Sequence, residues 1–97
     1  MTTTALTLAA RVRPASDVLF RDLEGEAVLV GLTSSCYFGL DLVGTRVWTL
    51  MVAHESLAPV LDAIVEEFEV ERDVAANDLL RLVGELRDHG LVVVEPT

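Results

Sequence analysis

Residues 18–40 constrain the fold of this chain more than any other stretch, because they hold three β-type runs separated only by short turns. Val18-Leu19-Phe20-Arg21-Asp22-Leu23 is β-branched and aromatic, and Glu24-Gly25 follows as a two-residue link whose glycine tolerates a positive φ. Glu26 to Leu32 reads as a second strand, apolar at odd and even positions alike. Thr33-Ser34-Ser35 makes another turn, and Cys36-Tyr37-Phe38-Gly39-Leu40 a third strand. Links this short permit only antiparallel neighbours, so the expectation is a three-stranded meander. A strand apolar on both faces is unusual where one side of a small sheet is wet, so each face calls for a cover.

The pattern then changes to a helical period. Asp41 is a plausible N-cap for a helix from Leu42 to about Ala53, with Val43, Val47, Trp48, Leu50 and Met51 on its apolar side. Gly44 inside that helix costs about 1 kcal/mol relative to alanine, which suggests a close approach to a neighbouring element. Ser56 caps a second helix, in which Leu57, Val60, Leu61, Ile64, Val65 and Phe68 fall at helical spacing and Pro59 sits in the tolerant first turn. Asp73 is read as the cap of a third helix, with Val74, Leu79, Leu82, Val83 and Leu86 on one stripe. Gly90 suits the left-handed position after its end, where Leu91 would touch Leu86, and Val92-Val93-Val94 makes a short closing strand. Residues 1–16 read as a flexible tail, in which the alternation of Leu6, Leu8, Ala10 and Val12 gives only a weak strand pattern. The fold class is α+β, a winged helix-turn-helix with a three-stranded antiparallel sheet followed by three helices.

Composition narrows the function. The chain has 97 residues, one domain's worth, and a formal charge of −9; its seven basic residues are all arginine. Affinity for nucleic acid rests on cations displacing counterions from phosphates, so nucleic acid is an unfavoured partner. The third helix, from Glu71 to His89, carries Arg72, Arg81 and Arg87 against Glu71, Asp73, Asp78, Glu85 and Asp88, which opposes groove binding. One cysteine excludes an internal disulfide, there is no membrane-length apolar run, and the expected location is the cytoplasm. Catalysis has little to stand on. His54 and His89 fall at helix ends without metal-ligand neighbours, Cys36 has no nearby base, and the glycines form no phosphate loop. The reading is a non-enzyme with no cofactor and no metal.

An open sheet edge offers a function of its own. If the third strand is an edge, its free amides and carbonyls can pair with an extended peptide whose alternate side chains need pockets. Ala75, Ala76, Leu79, Leu82 and Val83 give the third helix a wider apolar flank than one packing stripe needs. That flank could equally close the core or a dimer interface.

The run LFRDLEGEAVLVGLTSSCYFGLDLVGTRVWTLM, an amphipathic helix and then DLLRLVGELRDHGLV resembles the PqqD-like family, the recognition elements of ribosomally made, modified peptides. The similarity spans residues 12–94 and rests on Gly25-Glu26, Tyr37-Phe38-Gly39-Leu40, Gly44 with Val47-Trp48, and Asp78 through Gly90-Leu91. Pro-Glu-Gly and Cys-Asp-Gly signatures are absent, and the pattern is nearer the stand-alone members of lasso-peptide clusters. The resemblance implies that residues 17–97 form one leader-peptide-binding domain. A precursor's leader would dock antiparallel to the third strand beside the third helix, and the partners would be that leader, a leader protease and a cyclase. Carried over by position, contacts fall on Ser34, Ser35, Cys36, Tyr37 and Phe38, and on Ala75, Asp78, Leu79, Leu82 and Val83. Tyr37 and Phe38 must point to opposite faces; the pattern does not say which is which. A winged-helix DNA-binding regulator and a homodimer paired through the free edge stand as alternatives.

Overall fold

The computed structural model describes residues 7–33 and 35–95. The element order is β1 (Arg11–Pro14), β2 (Val18–Leu23), β3 (Glu26–Gly31), β4 (Cys36–Leu40), α1 (Leu42–His54), α2 (Leu57–Phe68), α3 (Arg72–Asp88) and β5 (Val92–Glu95). Strands β2, β3 and β4 form the expected antiparallel meander in that order, which leaves β4 at one edge. The β2–β3 link is tight because Glu24 and Gly25 both take positive φ, 59° and 91°, the backbone a two-residue hairpin with twisted strands requires. At the other end of the hairpin Asp17 closes the ladder. Its carbonyl accepts from Leu32 N at 3.0 Å and its carboxylate from Thr33 N at 2.9 Å.

One inner and one outer face follow from the alternation. Ala27, Leu29, Phe38 and Leu40 turn inward onto the helices, and Phe20 joins them by stacking on Trp48 of α1, with ring centroids 6.4 Å apart. Leu19, Leu23 and Tyr37 turn outward and stay exposed, so the helices cover only one of the two apolar faces. Tyr37 is therefore the outward residue of the Tyr37–Phe38 pair. It is 75% exposed.

The helix ends follow local chemistry. Asp41 caps α1 by accepting from Gly44 N at 2.8 Å. A Cβ on Gly44 would lie 3.3 Å from the Leu40 side chain, the close approach that the glycine suggested. The N-cap of α3 is Glu71, not Asp73; Glu71 has extended backbone while Asp73 sits within the first turn, where its charge still favours the helix dipole. At the far end, Gly90 has φ of 73°, its N–H bonds Arg87 O at 3.0 Å, and Leu91 N bonds Leu86 O at 2.9 Å. Those two bonds are a Schellman motif, sealed by buried Leu86 and Leu91.

Arg11–Pro14, inside the stretch read as a tail, is a strand. It pairs with β5 as a second, two-stranded sheet, with Val12 opposite Val94. Its partner lies at the other end of the chain, and only Val12 is buried in it, so local propensity carries little signal.

Thr45 holds the sheet to α1. Its Oγ1 accepts from Ala27 N at 3.0 Å and donates to Leu40 O at 3.4 Å, filling the last rung between β3 and β4. Among the described residues it is the one buried polar side chain of the core.

Candidate functional site

The hydrogen-bonding direction of each β4 residue can be read from the ladder. Successive residues of an antiparallel strand turn their N–H and C=O alternately to one neighbour and the other. Leu32 N bonds β2's side of the sheet at Asp17, so Val30 and Val28 do the same, and Ala27, Leu29 and Gly31 face β4. The partners of those three are Leu40, Phe38 and Cys36. Among the described residues no backbone group bonds the N–H and C=O of Tyr37 and Gly39, which face the open edge. Beside that edge the Tyr37 carbonyl meets only a weak contact from Cys36 Sγ at 4.0 Å.

This edge opens onto a cavity of about 500 Å³ between β4 and α3. Its floor is apolar and buried, made by Val47 of α1, Ile64 of α2, and Ala75 and Leu79 of α3. Its rim keeps apolar side chains in water, with Val43 41%, Val70 39% and Val74 55% exposed. Polar groups run along the α3 wall from its middle to its last turns, where Asp78, Arg81 and Glu85 line the cavity at helical spacing. Arg81 pairs with Asp78 at 3.3 Å. Phe38 closes that end with its ring edge-on to His89, centroids 5.4 Å apart, while His89 Nδ1 lies 2.7 Å from the Glu85 carbonyl. Since a carbonyl only accepts, the imidazole donates from Nδ1.

Of the residues singled out from sequence, Phe38, Ala75, Asp78, Leu79 and Leu82 line this cavity. Ser35, Cys36 and Tyr37 lie along the turn and edge strand, outside the lining. Ser34 lies outside the described residues. Val83 is fully buried and lies outside this lining, continuing the Ala75–Leu79–Leu86 core row. The contributions of α1 and α2 were missed. Val43 and Val47, one turn apart, and Ile64 and Phe68, one turn apart, looked like ordinary core stripes, and only tertiary packing separates a floor from a core.

The arrangement is suited to an extended chain rather than to bond making. Main-chain groups are offered in a row, an apolar slot lies beside them, and the charged groups sit at the slot's margin. Among the described residues no three metal-ligating side chains converge, and no helix is long and apolar enough to cross a membrane.

Comparison with known proteins adds two findings. A family model described as Coenzyme PQQ synthesis protein D (PqqD) matches residues 26–92, which span β3 to the start of β5 and include both the edge strand and α3. A solved structure described as TbiB1 in complex with the TbiA(beta) leader peptide superposes with a TM-score of 0.78 at 31% sequence identity, covering 82% of this chain and 93% of that one. No curated protein matches.

Proposed function

Since the chain belongs to the PqqD family, we propose that it binds the leader of a ribosomally made precursor peptide by strand addition to β4, in the groove beside α3. The observation that carries this reading is the edge at Tyr37 and Gly39, unpaired among the described residues, opening onto an apolar cavity. Main-chain pairing supplies affinity that tolerates sequence changes, and the cavity supplies selectivity for one or two leader side chains. The similar fold of TbiB1, described with a leader peptide bound, supports the same use of this chain. The contact set is Ser35 to Phe38 on the strand side, with Ser34 beside them in sequence, and Ala75, Asp78, Leu79 and Leu82 on the helix side. The role is that of an adaptor in lasso-peptide assembly, holding the leader while a protease and a cyclase act on the remainder of the precursor.

Duplex DNA is the weaker reading. On α3, Arg72, Arg81 and Arg87 are paired with Asp62, Asp78 and Asp88, so the helix that would enter a groove has its cations engaged. The deciding experiment is a polarisation titration with two labelled probes, the synthetic leader of the precursor encoded beside this chain and duplex DNA from the same locus. Saturable binding of the leader alone supports the proposal. Binding of DNA alone would refute it.

A further inference from the structure

The groove is not uniform along its length, and its two ends meet successive inward positions of a guest strand. We infer that this site selects a two-part signature: a large apolar side chain followed, two residues toward the C-terminus, by arginine or lysine. The inference rests on the strand-addition reading and specifies the class of peptide it admits.

Guest residues paired with Tyr37 and Gly39 carry their side chains to the outer face, as those two residues do. The guest residues opposite Leu40 and Phe38 therefore point into the cavity, and they are two apart. Past Leu40 the chain turns into α1, whose Val43 and Val47 line the slot together with Phe68, Val70 and Val74. Among the described residues of this lining, Asp41 is engaged with Gly44 N and Asp78, one turn beyond Val74, is paired with Arg81. Phe38 instead stands at the last turn of α3, against His89, and His89 is bonded to the Glu85 carbonyl. The guest position opposite Phe38 thus comes alongside Glu85. Asp78 and Arg81 neutralise each other, whereas Glu85 forms no ion pair among the described residues. The local excess is one negative charge, at the end where a guest running antiparallel to β4 has its later residues. An exposed pair of this kind is worth about two- to five-fold in affinity, which is a preference rather than a requirement.

The test is a display selection with random peptides of about ten residues on the full chain and on its Glu85→Arg variant. Glu85 is exposed and bonds through its backbone alone, so the variant keeps the fold, checked by thermal melting. The expected result is enrichment of an apolar residue followed at the second position by a basic one, changing to an acidic one on Glu85→Arg with the apolar position untouched. Identical enrichment on both proteins overturns the inference and leaves strand addition standing. A selection that enriches no peptide on either protein, or one that enriches peptides binding Tyr37→Pro equally well, removes the underlying reading as well.

Discussion

Adjacent prolines on β4 should have opposite effects, and that contrast tests the edge assignment directly. At Tyr37 the amide points to the open side, so Tyr37→Pro removes no hydrogen bond of the fold. The exposed ring of Tyr37 carries little packing, and the preceding residue Cys36 is in a strand, the conformation that a following proline prefers. Folding stability should fall by no more than about 1 kcal/mol, the cost of modest backbone adjustment. Leader binding, in contrast, loses one main-chain bond of about 1 kcal/mol and leaves a guest carbonyl facing a proline ring, for a total of about 1–3 kcal/mol. That is a loss of roughly five- to 150-fold in affinity. At Phe38 the amide bonds Leu29 and the side chain closes the cavity beside His89. Phe38→Pro therefore costs the fold on the order of 3 kcal/mol or more, from a broken ladder rung and lost aromatic packing. Urea unfolding of both variants and titration of the labelled leader read the two quantities separately, with Tyr37→Phe as the control that keeps the amide. Should Tyr37→Pro unfold as readily as Phe38→Pro, the alternation inferred for the ladder is wrong. Should it bind leader with unchanged affinity, the guest does not use this edge.

Three further outcomes are expected from the structure. Thr45→Val keeps shape but strands the Ala27 amide in the core, so stability should drop by about 1–3 kcal/mol in urea while Thr45→Ser recovers most of it; an unchanged midpoint would mean the threonine does not bridge the strands. Glu24→Asn places a residue more tolerant of left-handed backbone at φ of 59° and should raise stability by about 0.5–1 kcal/mol, read as a higher melting temperature. Acid should weaken the fold, because hydrogen bonds from Thr33, Arg46 and Arg13 hold the carboxyls of Asp17, Glu67 and Glu95 below the usual carboxylate range. A depressed folded pKa contributes stability that is complete above the unfolded value and is lost as pH falls through the folded one. The urea midpoint should accordingly hold from neutrality to about pH 5 and decline below about pH 4; a midpoint that stays level down to pH 3 would contradict those contacts.

How much of this was legible in the chain depended on whether the determining contact was local. The β2–β3 turn, the Asp41 cap and the Gly90–Leu91 closure were each visible, since every bond that makes them joins residues within about five positions. Strand β1 showed only as a weak alternation ending at Val12 for the opposite reason, its partner being β5 about eighty residues away. The Asp73 cap failed on a narrower point: an acidic residue suits both the cap and the first turn, and the backbone of Glu71 decides between them. The groove shows the limit most clearly. Ala75, Leu79 and Val83 fall on one helical stripe, yet the first two form a cavity floor while Val83 is sealed in the core. Periodicity assigns residues to a face with a tolerance near one residue, whereas the boundary between a slot and a core runs within that tolerance. What fixes it is tertiary packing, such as Thr45 joining the sheet to α1 and Phe38 resting against His89. Neither contact leaves a pattern in the sequence. A site made by the gap between two elements becomes visible only when both are in place, although the residue types that line it were already in view.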